Sequence, residues 1–218
     1  MGDVAVLFSG GLDSAVLLAH EARRASVHPL YVSAGLAWEA EERRAAATLI
    51  ESPPFEGRVR PLVRLEFTVR DLYPATHWAI TGEPPAYDTP DEDVYLSGRN
   101  LVLITKGSIY CAAANVPRLV LGPLAGNPFP DARPEFLVAM ATAASLGLDH
   151  ALVIAAPFSQ LHKEDVIRLG VELGVPFERT LSCMKPTGGV HCGACSKCRE
   201  RQEAFREAGV PDPTAYRA

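Results

Sequence analysis

The chain has 218 residues, of which 48% are hydrophobic and 22% are charged, and its net charge is −5. This length and composition predict a globular protein with one sizeable domain and a small appendage, and the acidic balance argues against a surface that binds nucleic acid or anionic membranes. No apolar run approaches the roughly 20 residues that span a bilayer, and the N-terminus lacks a signal-peptide pattern. We therefore expect a cytoplasmic protein.

Short apolar runs alternate with segments of helical period along most of the chain. Strands are predicted near residues 3–8, 27–32, 59–65, 118–122 and 151–155. Helices are predicted near residues 13–24, 37–51, 98–115, 134–146, 162–173 and 196–208. Because several strands are apolar throughout and each is followed by a helix, the pattern indicates an α/β fold with a doubly wound, mainly parallel five-stranded sheet of the Rossmann-like type.

The alternation stops near residue 180, which predicts an α/β domain over residues 1–180 and a separate C-terminal module over residues 181–218. Within the first domain, residues 68–97 are rich in proline, acidic residues and aromatic residues. This segment is too long for an ordinary connection between a strand and a helix, so we interpret it as a lid or a wall of a pocket.

A glycine pair lies between the first predicted strand and the first predicted helix, in the string Phe8-Ser9-Gly10-Gly11-Leu12-Asp13-Ser14. Glycines allow close approach of the backbone to an anion, and a helix N-terminus favours negative charge. The alternative is a plain turn in which Asp13 only caps the helix. The position at the carboxyl end of a strand favours a phosphate-binding loop. The string matches neither a Walker A loop nor a dinucleotide fingerprint.

Four of the five cysteines crowd into one short segment, as Cys183, Cys192, Cys195 and Cys198. This spacing is typical of a closed, structural, tetrahedral Zn²⁺ site, with an iron–sulfur cluster as the alternative. We interpret His191, which adjoins the second of these cysteines, as a bystander. The fifth cysteine, Cys111, is interpreted as a small core residue.

Two further segments carry polar side chains at helix starts. Arg99 is a candidate for binding a carboxylate or phosphate with its guanidinium fork, and Asn100 for a hydrogen bond to a base edge; a helix cap with a solvated arginine is an equal alternative. Lys163 lies in the first turn of a helix, where a cation opposes the macrodipole, so we predict a phosphate contact for it.

A third segment, which follows the fourth predicted strand, contains Asp131, Arg133, Glu135 and Phe136. The two acidic side chains are candidates for recognising the donors of a guanine-like ring, and the phenylalanine for stacking on it. The alternative is that the acidic residues only favour the N-terminus of the next helix.

These segments together resemble the 7-cyano-7-deazaguanine synthase family of the adenine nucleotide α-hydrolase superfamily. The resemblance rests on five motifs in the family's order, from residue 8 to residue 198: Ser9-Gly-Gly-x-Asp-Ser, Gly98-Arg-Asn, Pro130-Asp-x-Arg-Pro-Glu-Phe, Lys163 at its helix start, and Ser182-Cys…Cys-Gly-x-Cys-x-x-Cys. The first motif is the PP-loop, which is widely shared. The third and fifth motifs are more specific.

The resemblance implies a carbon–nitrogen ligase that splits ATP into AMP and pyrophosphate in queuosine biosynthesis. The carboxylate of 7-carboxy-7-deazaguanine attacks ATP, ammonia displaces AMP to give an amide, and a second ATP drives the amide to the nitrile. The implied catalytic residues are Asp13, Ser14, Arg99 and Lys163, and the loop from Phe8 to Ser14 holds ATP with Mg²⁺. The implied protein binds one zinc ion, forms a homodimer, and binds neither nucleic acid stably nor a membrane.

Two departures from the family pattern bear on the identity of the carboxylate substrate that attacks ATP. After the second strand the family carries a run like Asp/Tyr-Gly-Gln-x-His, whereas this chain reads VSAGLAWEAEERRAA. The loop after the fourth strand reads GPLAGNPFPDARPEF, in which Asn127 is the candidate for the family's asparagine. The alternative function is a related PP-loop adenylating enzyme with another carboxylate or a tRNA-modification substrate. A non-enzymatic regulator with a vestigial loop is a third hypothesis.

Overall fold

The computed structural model of the protein describes residues 2–217. A five-stranded sheet forms its centre, and all neighbouring strands are parallel, in the order β3-β2-β1-β4-β5. The strands are β1 (Asp3–Leu7), β2 (Ser26–Ser33), β3 (Val63–Glu66), β4 (Arg118–Val120) and β5 (Val153–Ala155). The predicted doubly wound parallel sheet is confirmed.

Helices cover both faces of the sheet. They are α1 (Leu12–Ala22), α2 (Glu39–Ile50), α3 (Trp78–Thr81), α4 (Arg99–Ala113), α5 (Pro134–Leu148), α6 (Lys163–Glu172) and α7 (Ser196–Ala208). Side chains alternate between the faces along each strand, so Val4 and Val6 enter the core beneath α1, α6 and α7, whereas Ala5 enters the core beneath α4 and α5. Burial on both faces explains why the strands are apolar throughout.

The third strand is shorter than predicted. Its ladder with β2 starts at Val63 and not at residue 59, and Val59 forms only an isolated bridge with Val27. Pro61 lies between the two and has no N–H group to donate, so continuous pairing starts beyond it.

The order of the strands reverses between β1 and β4, because β1 leads to β2 on one side and β4 leads to β5 on the other. In such sheets a crevice opens at the carboxyl ends of the strands at this point. The glycine loop after β1 therefore lies where an α/β sheet binds its ligands.

The cysteine-rich segment packs against the predicted pocket wall. Cys183, Cys195 and Cys198 share a hydrophobic cluster with Val94 and Leu96 of the 68–97 segment. At the base of this region Arg201 is only 1% exposed, and its guanidinium donates to the Phe177 carbonyl and to hydroxyl groups of nearby threonine and serine side chains. Between residues 2 and 217, no helix combines the length and the apolarity needed to cross a membrane.

Candidate functional site

A cavity of about 450 Å³ opens at the carboxyl ends of the central strands. This size lies within the range of sites for small molecules and cofactors. The loops after β1, β2 and β4 line it, as do the starts of α4, α6 and α7 and part of the 68–97 segment. Five of these parts carry candidate residues, namely the loops after β1 and β4 and the starts of α4, α6 and α7, and they therefore meet in one place.

The glycine loop forms one wall of the cavity. The Ser14 hydroxyl donates to the Gly11 carbonyl (2.9 Å) and accepts from the Ser9 N–H (3.3 Å), while the Ser9 hydroxyl accepts from the Gly11 N–H (3.2 Å). Gly11 is the N-cap of α1, and no side chain caps this helix. The alternative in which Asp13 only caps α1 is therefore wrong.

Gly10 is required by two features of the loop. Its φ of 80° is left-handed, and a Cβ atom there would lie 2.9 Å from the backbone nitrogen of Ala46 in α2. A left-handed residue other than glycine costs about 1–2 kcal/mol, and the clash with backbone adds to this cost. The first glycine thus lets the loop pack directly on α2.

We expect Gly10→Ala to destabilise the protein by about 2 kcal/mol or more in denaturant unfolding. Gly57→Ala is the matched control, since Gly57 has a φ of 69° with no atom within 4 Å of the added Cβ position. The loss of stability in Gly57→Ala should therefore report only the strain of a left-handed backbone, without a steric clash. Equal effects of the two substitutions would contradict the proposed close contact.

A row of four charged side chains crosses the cavity. Lys163 at the start of α6 pairs with Asp13 (Nζ to Oδ2, 3.3 Å) and with Glu200, which in turn pairs with Lys197 (2.6 Å). The second oxygen of Asp13 is buried and has no hydrogen-bond partner within residues 2–217. The structure thus brings Asp13 and Lys163 together and leaves one carboxylate oxygen of Asp13 without a protein partner among the described residues.

The environment sets the charges of this row. Burial raises the pKa of Asp13, and the nearby Lys163 ammonium opposes that shift. Burial lowers the pKa of Lys163, but the carboxylates of Asp13 and Glu200 outweigh it, so the net pKa is raised and the side chain stays charged at neutral pH.

Arg99, Asn100 and Asp131 also line the cavity. The Asp131 carboxylate accepts from the Asn100 N–H (3.0 Å) and the Asn100 side-chain amide (3.3 Å), which fixes the first turn of α4. The Nε of Arg99 is buried and has no hydrogen-bond partner among the described residues. A fully solvated arginine, one of the two alternatives, is not what the structure shows.

Trp38 of the loop after β2 and Glu42 of α2 line the cavity, although the sequence indicated no function for either residue. Glu39 accepts from the Ala34 N–H (2.7 Å) and holds the loop in place. Glu42 accepts from the Tyr31 hydroxyl (3.0 Å) and from the Trp38 indole N–H (3.2 Å), and burial raises its pKa. The run that departs from the family pattern therefore forms part of the cavity.

Two stacked aromatic pairs give the cavity flat apolar surfaces. Trp38 stacks on Trp78 with ring centroids 5.6 Å apart and an angle of 6° between the planes. Tyr95 stacks on Phe129 with centroids 4.9 Å apart. Trp78 and Tyr95 belong to the 68–97 segment, so part of this segment lines the cavity. In the sequence, the clustering of aromatic residues with proline in this segment was the feature that indicated a pocket wall.

Three predicted substrate residues lie outside the lining of this cavity. Arg133 and Glu135 are exposed at the start of α5, and Phe136 is partly buried against the core beneath α4 and α5. Asp131 of the same motif does line the cavity. The role of the other three residues in substrate binding stays a prediction. Asn127 lines the cavity, and its side chain accepts from the Phe129 N–H (2.9 Å).

The sulfur atoms of Cys183, Cys192, Cys195 and Cys198 all lie within 4.8 Å of one another. The sulfurs of the last pair are 3.6 Å apart. A Zn–S bond length of 2.3 Å in a tetrahedron implies about 3.8 Å between sulfurs, so this set fits a single tetrahedral ion such as zinc. The N–H groups of Lys185 and Cys192 donate to the Cys183 sulfur (3.2 Å each), as expected around a metal-bound thiolate.

The fold and the cysteine cluster define a Rossmann-like α/β protein with a C-terminal module that could bind zinc. The chain belongs to the family described as "Queuosine biosynthesis protein QueC", which it matches over residues 3–209.

Curated relatives span nearly the whole chain. A 7-cyano-7-deazaguanine synthase from Anaeromyxobacter dehalogenans is 34% identical, covering 97% of this chain and 94% of the relative. One from Methanothrix thermoacetophila is 32% identical over 99% of both chains. A solved structure described as a "predicted subunit of tRNA methyltransferase" from Methanocaldococcus jannaschii has a TM-score of 0.50 and 12% identity, covering 100% of this chain and 93% of that chain. This last likeness concerns the fold alone.

Proposed function

We propose that this protein converts 7-carboxy-7-deazaguanine and ammonia to 7-cyano-7-deazaguanine with ATP, the activity for which its relatives are named. The observation that carries the proposal is the convergence of Asp13, Lys163 and Arg99 in one cavity of a chain that matches the family from residue 3 to residue 209. ATP and ammonia as substrates support a cytoplasmic location.

The glycine loop is suited to hold the pyrophosphate part of ATP. Its backbone lies at the N-terminus of α1, whose partial positive charge stabilises anions. Lys163 supplies a full positive charge beside the loop, and the unpartnered oxygen of Asp13 would be a ligand for Mg²⁺. Mg²⁺ would neutralise charge that develops on the leaving pyrophosphate. These groups stabilise the products of attack at the α-phosphorus.

Arg99 is suited to hold the carboxylate that attacks ATP. Its guanidinium lies in the cavity, and its buried Nε has no hydrogen-bond partner in residues 2–217. The carboxylate oxygen forms a bond to the α-phosphorus, and the bond from that phosphorus to pyrophosphate breaks. Ammonia then displaces AMP to give the amide. In a second round the amide oxygen bonds to the α-phosphorus of another ATP as pyrophosphate leaves, and loss of AMP and of both amide protons gives the nitrile.

The aromatic pairs support a substrate with flat rings. Both ATP and the deazaguanine carry a bicyclic heterocycle, and the cavity has two stacked aromatic pairs. Stacking on such rings contributes about 1–3 kcal/mol per base. Asp131 and Asn100, which also line the cavity, are candidates for polar contacts to the ring.

We expect Arg99→Leu to raise KM for the carboxylate substrate about tenfold to a hundredfold, because one charge-assisted bidentate contact is lost. KM for ATP should change by less than about threefold if the loop alone holds the nucleotide. Steady-state kinetics with each substrate varied in turn measures both values. An increase confined to ATP would show that Arg99 binds phosphate instead.

The C-terminal cysteines are proposed to hold one structural zinc ion that closes residues 181–218 onto the α/β domain of residues 1–180. Four protein ligands fill a tetrahedral coordination sphere, and three of the cysteines are buried and the fourth is partly buried, which supports a structural ion and not a catalytic one. The iron–sulfur alternative is tested by metal and sulfide analysis of the purified protein.

We further propose a homodimer that pairs the outer faces of α4 and α5. The fifteen residues of α5 contain one charge, Glu135, yet Val138 is 67% exposed and Leu146 is 80% exposed. Leu101 and Ile109 continue this apolar surface on α4, which packs beside α5. An apolar helix face of this kind is usually covered. A second copy supplies the same apolar face, as a two-fold interface requires.

Leu146→Glu is expected to convert the dimer to a monomer in light scattering at micromolar concentration, because a charge would enter the apolar interface. Leu72→Glu is the control, since Leu72 is 73% exposed but lies in the 68–97 segment. A monomeric wild-type protein, or a dimer that survives Leu146→Glu, would contradict the proposed interface.

A product assay tests the proposed function. The protein is incubated with ATP, Mg²⁺, ammonium and 7-carboxy-7-deazaguanine, and we expect two AMP and two pyrophosphate for each nitrile. ADP as the sole nucleotide product would overturn the mechanism.

AMP formed only with another carboxylate would favour the second candidate, a related adenylating enzyme. The observation in favour of that candidate is that the departing run supplies Trp38 and Glu42 to the cavity. A tRNA substrate is less well supported, because the net charge is −5 and, of the few arginines that follow the cysteine cluster (Arg199, Arg201 and Arg206), Arg201 is buried.

A further inference from the structure

The first turn of α7 joins the cysteine cluster to the cavity. Cys195 is the N-cap of this helix and Cys198 is its third residue, so two of the four sulfurs belong to this turn. The same turn carries Lys197 and Glu200, and both line the cavity. A metal held by the sulfurs therefore fixes the position of two charged side chains opposite the glycine loop.

A second contact holds the cysteine module against the loop. The Leu181 N–H donates to the Gly10 carbonyl (2.9 Å), and Leu181, Ser182 and Met184 also line the cavity. The module is thus a wall of the cavity as well as a closing element at the end of the chain.

Two lysine side chains of the charged row, Lys163 and Lys197, line the cavity. Glu200 pairs with Lys163 and, at 2.6 Å, with Lys197. The Lys163 side chain is 18% exposed and lies between two carboxylates, whereas the Lys197 side chain is 30% exposed and pairs with Glu200. The side chains of Lys163, Asp13, Glu200 and Lys197 carry two positive and two negative charges. A polyanion entering the cavity therefore meets Lys197 as the more accessible cation.

We propose that Lys197 binds the β- and γ-phosphates of ATP and that Glu200 is a positioning residue that orients the Lys163 ammonium toward the same phosphates. The cysteine module is then part of the ATP site. This inference rests on the proposed function, because it assumes that the cavity binds ATP. The ligand that Lys197 and Lys163 share is the part of ATP that leaves as pyrophosphate.

Binding of magnesium pyrophosphate, measured by calorimetry, tests the role of Lys197 without catalysis. Lys197→Met should raise Kd about tenfold or more, because a charge-assisted contact is lost. Lys197→Arg should keep Kd within about threefold, since the positive charge remains. Lys185→Met is the matched control: Lys185 lies in the same module and pairs with the exposed Glu83, outside the cavity lining. Its Kd should equal that of the wild type.

Metal content and melting temperature separate this role from a structural one. Lys197→Met should hold one metal ion per chain and have the same melting temperature as the wild type. If it does so and binds pyrophosphate as tightly as the wild type, the proposed phosphate contact is wrong. If the wild-type protein binds pyrophosphate with the expected dependence on Lys197 but makes no nitrile, the proposed function fails and this inference stands.

A double-mutant cycle tests the role of Glu200. Glu200→Gln should lower kcat for AMP formation about tenfold with little change in KM, and the double variant with Lys163→Ala should be no slower than Lys163→Ala alone. Additive losses would show that Glu200 does not act through Lys163, and would overturn its assignment as a positioning residue.

Discussion

Asp13→Asn is expected to lower the rate of AMP formation at least about a hundredfold, the size of effect seen when one preorganised electrostatic contact to a transition state is removed. The reason lies in the two oxygens of the carboxylate. One pairs with Lys163 at 3.3 Å, and the other is buried in the cavity with no hydrogen-bond partner in the described chain. An amide keeps the shape but loses the charge that a magnesium ion requires.

The matched control for this substitution is Glu83→Gln. Glu83 also pairs with a lysine, but its side chain is 72% exposed, so the loss of its charge should leave the rate within about twofold of the wild type. Both variants should keep one metal ion per chain, because neither residue belongs to the cysteine cluster. Asp13→Asn with undiminished AMP formation would show that the loop assignment is wrong.

Cys198→Ser is expected to have the largest effect on stability. Cys198 is 0% exposed, and its sulfur lies within 4.8 Å of the other three. Structural zinc sites contribute folding free energy directly, so we expect the loss of about 3 kcal/mol or more. For a chain of this length that corresponds to a drop in melting temperature of roughly 6–12 °C. Atomic absorption should show well under one zinc per chain.

Cys111→Ser provides the comparison. Cys111 is equally buried, but it lies in α4 within the core beneath α4 and α5, away from the sulfur cluster. Its replacement buries a hydroxyl group and should lower stability by about 1–3 kcal/mol while the zinc content stays at one per chain. Retention of full zinc and an unchanged melting temperature in Cys198→Ser would contradict the proposed site.

The fold could be predicted from the sequence because each element shows its period locally. The strands are apolar on both faces, and the helices between them are amphipathic or start at proline, so the order of elements determines a parallel sheet. The start of β3 was predicted too early, because the apolar run from Val59 continues through Pro61 although pairing cannot. The short helix α3 has too few residues to show a helical period.

The parts of the candidate site that belong to a single sequence motif could be predicted. The glycine loop and the cysteine cluster are each contiguous in sequence, and the structure places them in the cavity and in a compact sulfur cluster, respectively. Glu42 and Glu200 could not be predicted, because each is a charged helix residue that resembles a solvated one until tertiary packing encloses it. Phe136 was assigned to the substrate because it is the last residue of a specific motif, whereas the structure places it partly buried against the core, which no feature of the motif indicates.

Transfer of oxygen from the substrate to AMP tests the central claim most directly. If the carboxylate oxygen attacks the α-phosphorus, 7-carboxy-7-deazaguanine labelled with ¹⁸O in both carboxylate oxygens must deliver one ¹⁸O to each of the two AMP molecules formed for each nitrile. Mass spectrometry of AMP and pyrophosphate measures this. We predict labelled AMP and unlabelled pyrophosphate. Unlabelled AMP, or label in a released phosphate, would show that the acceptor does not attack the α-phosphorus and would contradict the proposed reaction.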